Sequence, residues 1–262
     1  VLDEGQSWTQ KALAAVSLGR IGNERAAKAL DDAYGRVKLS EFSDSLTVAV
    51  IWALGRAGDD GAVEKLTAAL DNGSHEVRYV AAWSLAQVGG DDALRSLLEA
   101  YWSGRPPLRE AAGRGVVQMA ASSTVDEQTR HRKLRRSDIA NDLRYIDDRN
   151  HKIDTNGLLE SLSRLARQVE LPRSRGFIDA HEQIIRGAVQ RALSTDDTRV
   201  QASVLEALTG SRGRPTFRIL EPLEATDRQA IEKLVQSLSG RVRELAESSE
   251  TEVRSPAIRL LG

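Results

Sequence analysis

Apolar residues recur along this chain on two scales. Within short stretches they fall at helical spacing: Ala62, Val63, Leu66, Ala69 and Leu70 share one face of a helix. Over longer stretches whole segments recur. The run from Glu76 to Gly89 aligns with residues 48–58 when Leu85 is laid on Leu54. It aligns with residues 14–22 when Leu54 is in turn laid on Leu18. The intervals are 31 and 36 residues. Recurrence of this size marks a solenoid, whose units bury their apolar faces only against their neighbours.

Each unit reads as two helices. In the clearest copy a first helix over 62–70 is broken by Asp71, Asn72, Gly73 and Ser74. Gly73 suits a left-handed C-terminal position and Ser74 an N-cap. The second helix runs from about His75 to Val88 and stops at Gly89 and Gly90. Ala81 and Ala82 at its centre let neighbouring helices come close. Asp91 and Asp92 then open the next first helix, where carboxylates meet the positive end of the helix dipole.

Six second helices align on Leu18, Leu54, Leu85, Val116, Leu208 and Leu261. The pair Val77-Arg78 corresponds to Leu108-Arg109 and Val253-Arg254. Val200-Gln201, Leu46-Thr47 and Gln10-Lys11 match it more loosely. The 92-residue interval from Val116 to Leu208 is close to three periods and predicts degenerate repeats with longer helices. Three regions follow: regular repeats over 1–121, an irregular charged insert or degenerate repeat over 122–176, and further degenerate repeats over 177–262, cut mid-repeat. Within these, helices are expected over 137–146, 158–169 and 177–193. Thr226, with Gln229 three residues on, predicts the capping-box start of a long helix over 226–247. The cut at Leu261-Gly262, together with a first residue that is Val1 rather than Met, leads us to expect a larger parent or assembly.

Composition narrows the class. Charged residues make up 29% of the 262 and aromatics only 4%, which suits helices packed through small side chains and disfavours β-rich folds. A net charge of −1 gives no global pull toward nucleic acid or an anionic membrane. With no cysteine there is no disulfide framework, thiolate metal site or thiol nucleophile, which fits a reducing, cytoplasmic setting. No apolar run approaches the roughly 20 residues that cross a bilayer.

The pattern of acidic turn, Val-Arg, small residues and Ala-Leu-Gly resembles HEAT repeats, in particular the short kind first associated with phycobilin lyases. Residues 44–120 carry the resemblance best, and residues 1–30 moderately. Residues 195–210 and 250–262 carry it only in the second helix, and 121–194 hardly at all. The resemblance implies an all-α fold, a right-handed α-solenoid of antiparallel helix pairs with a less regular middle. It further implies that second helices line the concave face and that a turn acid and a helix Arg tie adjacent repeats. Asp71 and Arg78 would do so here, with Arg109 and Arg254 as equivalent arginines. Lys11, Thr47 and Gln201 depart from the pattern, which predicts an incomplete ladder. Such repeats serve scaffolds, lyases, regulators and sensors, so the resemblance says little about function.

No catalytic constellation, metal site or cofactor site is expected. His75, His131, His151 and His181 are scattered, and no H-x-x-x-H, G-x-S-x-G or phosphate loop is present. Asp59-Asp60 and Asp91-Asp92 recur in phase with the repeat and read as helix starts. Trp52 and Trp83 share one repeat position, which Val16 fills in the preceding unit and Arg114 in the next. Two indoles there either anchor a partner or fill the space between helix layers. Tyr79, Tyr101 and Trp102 form a second aromatic group. Residues 130–136 hold Arg130, Arg132, Lys133, Arg135, Arg136 and His131, flanked by acids from Asp126 to Asp148.

These features point to a non-catalytic protein-interaction scaffold or sensor arm. Partner contacts are expected at Trp52, Arg56, Trp83, Gln87 and Arg114, with Arg132, Lys133, Arg135 and Arg136 as a second contact. A protein partner ranks ahead of nucleic acid, which the basic run would hold through phosphates. A bilin lyase-like chromophore carrier ranks third, and no membrane is implicated.

Overall fold

The computed structural model describes residues 8–36, 44–57, 61–122, 146–147, 152–153, 177–209 and 228–261. These are helical almost throughout. The chain forms two compact units, one of residues 1–93 and 125–170, the other of 94–124 and 171–262.

The first unit carries α1 (Trp8–Ile21), α2 (Glu24–Arg36), α3 (Asp44–Ala57), α4 (Ala62–Asn72) and α5 (His75–Val88). The second helices stack, α1 on α3 and α3 on α5, while α2 packs against α3 and α4 against α5. This is the two-layer stacking of an α-solenoid, and its core is the recurrent apolar set. Ala49, Ile51, Ala53, Leu66, Leu70, Val80, Ala81 and Leu85 are all fully buried. The unit also holds a two-residue ladder, β1 (Ile146–Asp147) with β2 (Lys152–Ile153), where Ile146 pairs with Ile153. Residue 146 is thus in a strand, where the sequence predicts the end of a helix; the rest of that helix, and the one over 158–169, lie outside the described residues.

Caps set the helix ends. Ser74 caps α5, its side chain accepting from Val77 N at 3.5 Å. Gly22, Gly89 and Gly90 sit at positive φ, between 59° and 78°, where a Cβ would be strained. Gly73 departs from expectation: its φ of −73° and ψ of 167° are extended, not left-handed. Close approach explains the glycine, because a Cβ there would lie 2.4 Å from Val77 Cγ1 and 2.5 Å from the Ala69 carbonyl oxygen.

The second unit continues through α6 (Gly90–Ser103, which begins in the first unit), α7 (Pro106–Ser122), α8 (Phe177–Ala180), α9 (Glu182–Ser194), α10 (Thr198–Leu208), α11 (Arg228–Ser237), α12 (Ser239–Ala246) and α13 (Thr251–Leu261). Asp91 and Asp92 occupy the first turn of α6, as expected. Here α10 packs on α13, α9 on α10 and α12 on α13, the same layering as in the first unit. Two predicted long helices are broken. That over 177–193 turns at His181, and that over 226–247 turns at Leu238, a buried residue that closes one helix and opens the next. Glu99 on α6 pairs with Arg191 on α9 at 2.7 Å.

Three of the residues at the Arg78 position act alike. Arg78 Nη2 donates to the Asp71 carbonyl at 3.1 Å, Gln201 Nε2 to the Thr195 carbonyl at 2.6 Å, and Arg254 Nη1 to the Ser248 carbonyl at 3.4 Å. Each satisfies a main-chain oxygen left open at the end of the preceding first helix. Gln201 therefore keeps the pattern from which its residue type departs. These three bonds each lie within one repeat. Other bonds join first helices. Tyr34 Oη donates to the Lys65 carbonyl at 3.0 Å, Lys65 pairs with Asp31, and Arg241 Nε and Nη2 both donate to the Leu193 carbonyl at 3.1 Å. Burial pushes the Tyr34 phenol above its ordinary range, partly offset by the Lys65 ammonium. Gln201→Leu should leave the Thr195 oxygen unmatched and lower the unfolding free energy by about 1–3 kcal/mol, read from a denaturant titration.

Asp197 gives a pH test. It caps α10, accepting from Arg199 N at 2.9 Å, and that bond, with the Arg199 side chain, holds its carboxyl below the usual range. A lowered folded pKa stabilises above the unfolded value of about 3.9, and that stabilisation is lost as pH falls through the folded pKa. The melting temperature of Asp197→Ala should therefore lie below wild type at pH 7, with the gap closing as pH falls below about 4.

Candidate functional face

The second helices of the first unit meet through small residues. A Cβ on Gly19 would lie 2.7 Å from Ala53 Cα, and one on Gly55 would lie 2.4 Å from Ser84 Cβ. These are equivalent contacts one repeat apart, Leu+1 of one helix against Leu−1 of the next. Ser84 Oγ donates to the Ile51 carbonyl at 3.0 Å in the same seam. Such close approach brings the side chains beside the seam into register. Trp52 and Trp83 stack with ring centroids 6.2 Å apart and planes 6° from parallel.

Both indoles are buried, Trp52 at 2% exposure and Trp83 at 8%. Burial and the parallel stack fit the space-filling role, and Trp52 Nε1 has no hydrogen-bond partner. One turn further along each helix stand the half-buried Arg56 and Gln87. The Arg56 guanidinium lies 5.4 Å from the Trp52 ring centroid, within cation–π range. His75 lies edge-on to the buried Tyr79, extending the α5 column.

In the second unit Arg114 occupies the same repeat position as Trp83. It is half-buried and pairs with Glu110 at 2.9 Å, one turn away on α7. Trp102 is buried with Tyr101 at its edge, and the Arg109 guanidinium lies 6.0 Å from the Tyr101 ring centroid. His181 lies against Phe177. His131, His151, Asp59, Asp60 and the basic residues Arg132, Lys133, Arg135 and Arg136 lie outside the described residues. Sequence reasoning passes over Ser84, Gly19 and Gly55 as site-shaping residues, although their shared offset from each repeat leucine is a usable signal.

Among the described residues, no group of three or more His, Cys, Asp or Glu side chains is placed to hold a metal ion. No helix among them is long and apolar enough to cross a membrane. Stacked helix pairs with a period of just over thirty residues define an α-solenoid repeat protein. Residues 37–116, which span α3 to α6 and most of α7, match the family model for HEAT repeats. No curated protein matches the chain.

Proposed function

We propose that this chain is a non-catalytic protein-interaction scaffold or sensor arm that binds its partner along the face lined by its second helices. HEAT repeats commonly serve as interaction scaffolds, and the match over 37–116 supports that reading. The observation that carries it is the Trp52–Trp83 stack, with Arg56 over the Trp52 ring and Gln87 at the equivalent place one repeat on. A binding row of this kind needs polar groups fixed before the partner arrives, since ordering them on binding costs about 0.5–1.5 kcal/mol each. Trp52, Arg56, Trp83 and Gln87 then supply contacts in the first unit, Arg114 supplies one in the second, and Arg132, Lys133, Arg135 and Arg136 form a second contact. A cytoplasmic setting goes with this reading.

The test begins with capture of partners by immobilised wild-type chain and identification by mass spectrometry. Arg56→Glu and Arg114→Glu should each weaken the captured complex at least about tenfold, or 1.4 kcal/mol, with far-ultraviolet circular dichroism unchanged. Unaltered affinity in both variants would overturn the reading. So would a gel shift with duplex DNA at low salt that fades steeply as salt rises.

A further inference from the structure

The repeat register sets the charge of the second-helix face in the first unit. Laid on Leu18, Leu54 and Leu85, the C-terminal halves of α1, α3 and α5 are residues 15–21, 51–57 and 82–88. Two residues past each leucine stand Arg20, Arg56 and Gln87. Together these segments hold two arginines and no carboxylate. Asp44 and Glu76 lie at the opposite ends of α3 and α5, and Glu24, Asp31, Asp32, Glu64 and Asp71 lie on the first helices α2 and α4.

A cation in a last turn suits the negative end of the helix dipole. That alone does not fix its place around the turn, yet both arginines take the same repeat position. Arg20 is exposed, and Arg56 is half-buried with its guanidinium over the Trp52 ring. Because α1 packs on α3 and α3 on α5, the three positions follow one another across the stack at about the 8–10 Å of packed helices.

We propose that the partner presents an acidic, extended peptide segment laid across α1, α3 and α5, its carboxylates on Arg20 and Arg56 and its main chain on Gln87, which rests on the second-helix face being the docking face. Two to three residues of extended chain, at about 3.3 Å each, cover one helix spacing. Acids two or three residues apart therefore meet successive arginines. Guanidinium and carboxylate match each other through parallel N–H···O bonds. The Gln87 amide brings both a donor and an acceptor, which suits peptide main chain, whereas a phosphate chain offers acceptors only. Bases would in addition need an open aromatic face, and Trp52 and Trp83 turn theirs toward each other.

Fluorescence anisotropy of a labelled oligoglutamate of about ten residues, long enough to cross the row, tests this on the full chain. At low salt wild type should bind it, with affinity that falls as salt rises, and should not bind an oligoglutamine of equal length. Arg20→Glu and Arg56→Glu should each weaken binding several-fold and together at least about tenfold, with circular dichroism unchanged. Lys28→Glu, an exposed reversal on α2 with the same change of charge as either, should leave it unaltered. Gln87→Arg should tighten it several-fold, a gain that tests the row even where a reversal at Arg56 costs helicity. No binding by wild type, a loss from Lys28→Glu equal to that from Arg20→Glu, or no response to Gln87→Arg would overturn the proposal. So would an oligo-dT strand that binds through the same arginines more tightly than the peptide. A partner captured from cell extract that needs Arg56 while the oligoglutamate does not bind overturns the acidic class alone and leaves the docking face standing.

Discussion

Replacing Trp52 by Ala should lower the unfolding free energy by about 3–5 kcal/mol, the range for deleting a buried aromatic. The indole is 2% exposed and parallel to Trp83, so truncation removes a contact surface from two helices of the stack at once. One term works the other way. Trp52 Nε1 is buried with no acceptor, and leaving such a donor unmatched costs about 1–3 kcal/mol. Trp52→Phe keeps most of the ring contact and removes that donor. Its loss should therefore be less than half that of Trp52→Ala. Guanidinium titrations with unchanged m-values check both. A Phe variant as unstable as the Ala variant would show that shape at the stack outweighs the unmatched donor.

Gly55→Val should be comparably damaging for the opposite reason. A Cβ at residue 55 would lie 2.4 Å from Ser84 Cβ and 2.6 Å from Ser84 Cα. Flexible side chains yield to such a clash, but backbone does not, so α3 and α5 must move apart along the seam. Overpacking typically costs about 1–3 kcal/mol, and a main-chain clash belongs at or above the top of that range. Added bulk on a buried seam wins over any gain in helix propensity, which is about 1 kcal/mol at most for replacing Gly. Ser84→Gly in the same chain removes the Cβ and Oγ clashes and leaves that with Cα. The double variant should recover part of the loss, and melting temperatures of both singles and the double measure it. Full recovery would mean that the backbones separate more easily than the seam implies.

Part of this is legible in the residues. Ser74 as a cap, the stops at Gly89 and Gly90 and the bounds of α5 follow from local chemistry, and the structure keeps all of them. Gly73 misleads because a glycine after a helix has two uses, positive φ and close approach, and only the path of α5 distinguishes them. Gln201 misleads because matching by residue type hides what the position does. Any long donor at that place reaches the open carbonyls. The candidate face is half legible. The shared place of Trp52 and Trp83 is visible in the repeat, but whether the indoles face a partner or each other depends on how close α3 and α5 come.

Local chemistry in the sequence is enough for α4, α5, the Ser74 cap and the recurrence of the second helices, because periodic apolar positions and capping residues act over a few residues of chain. Tertiary structure alone decided which distant side chains meet, as Glu99 does Arg191, and which side chains the seams bury. Those outcomes depend on distances between helices far apart in sequence, and a small residue such as Gly55 sets them only through what lies opposite.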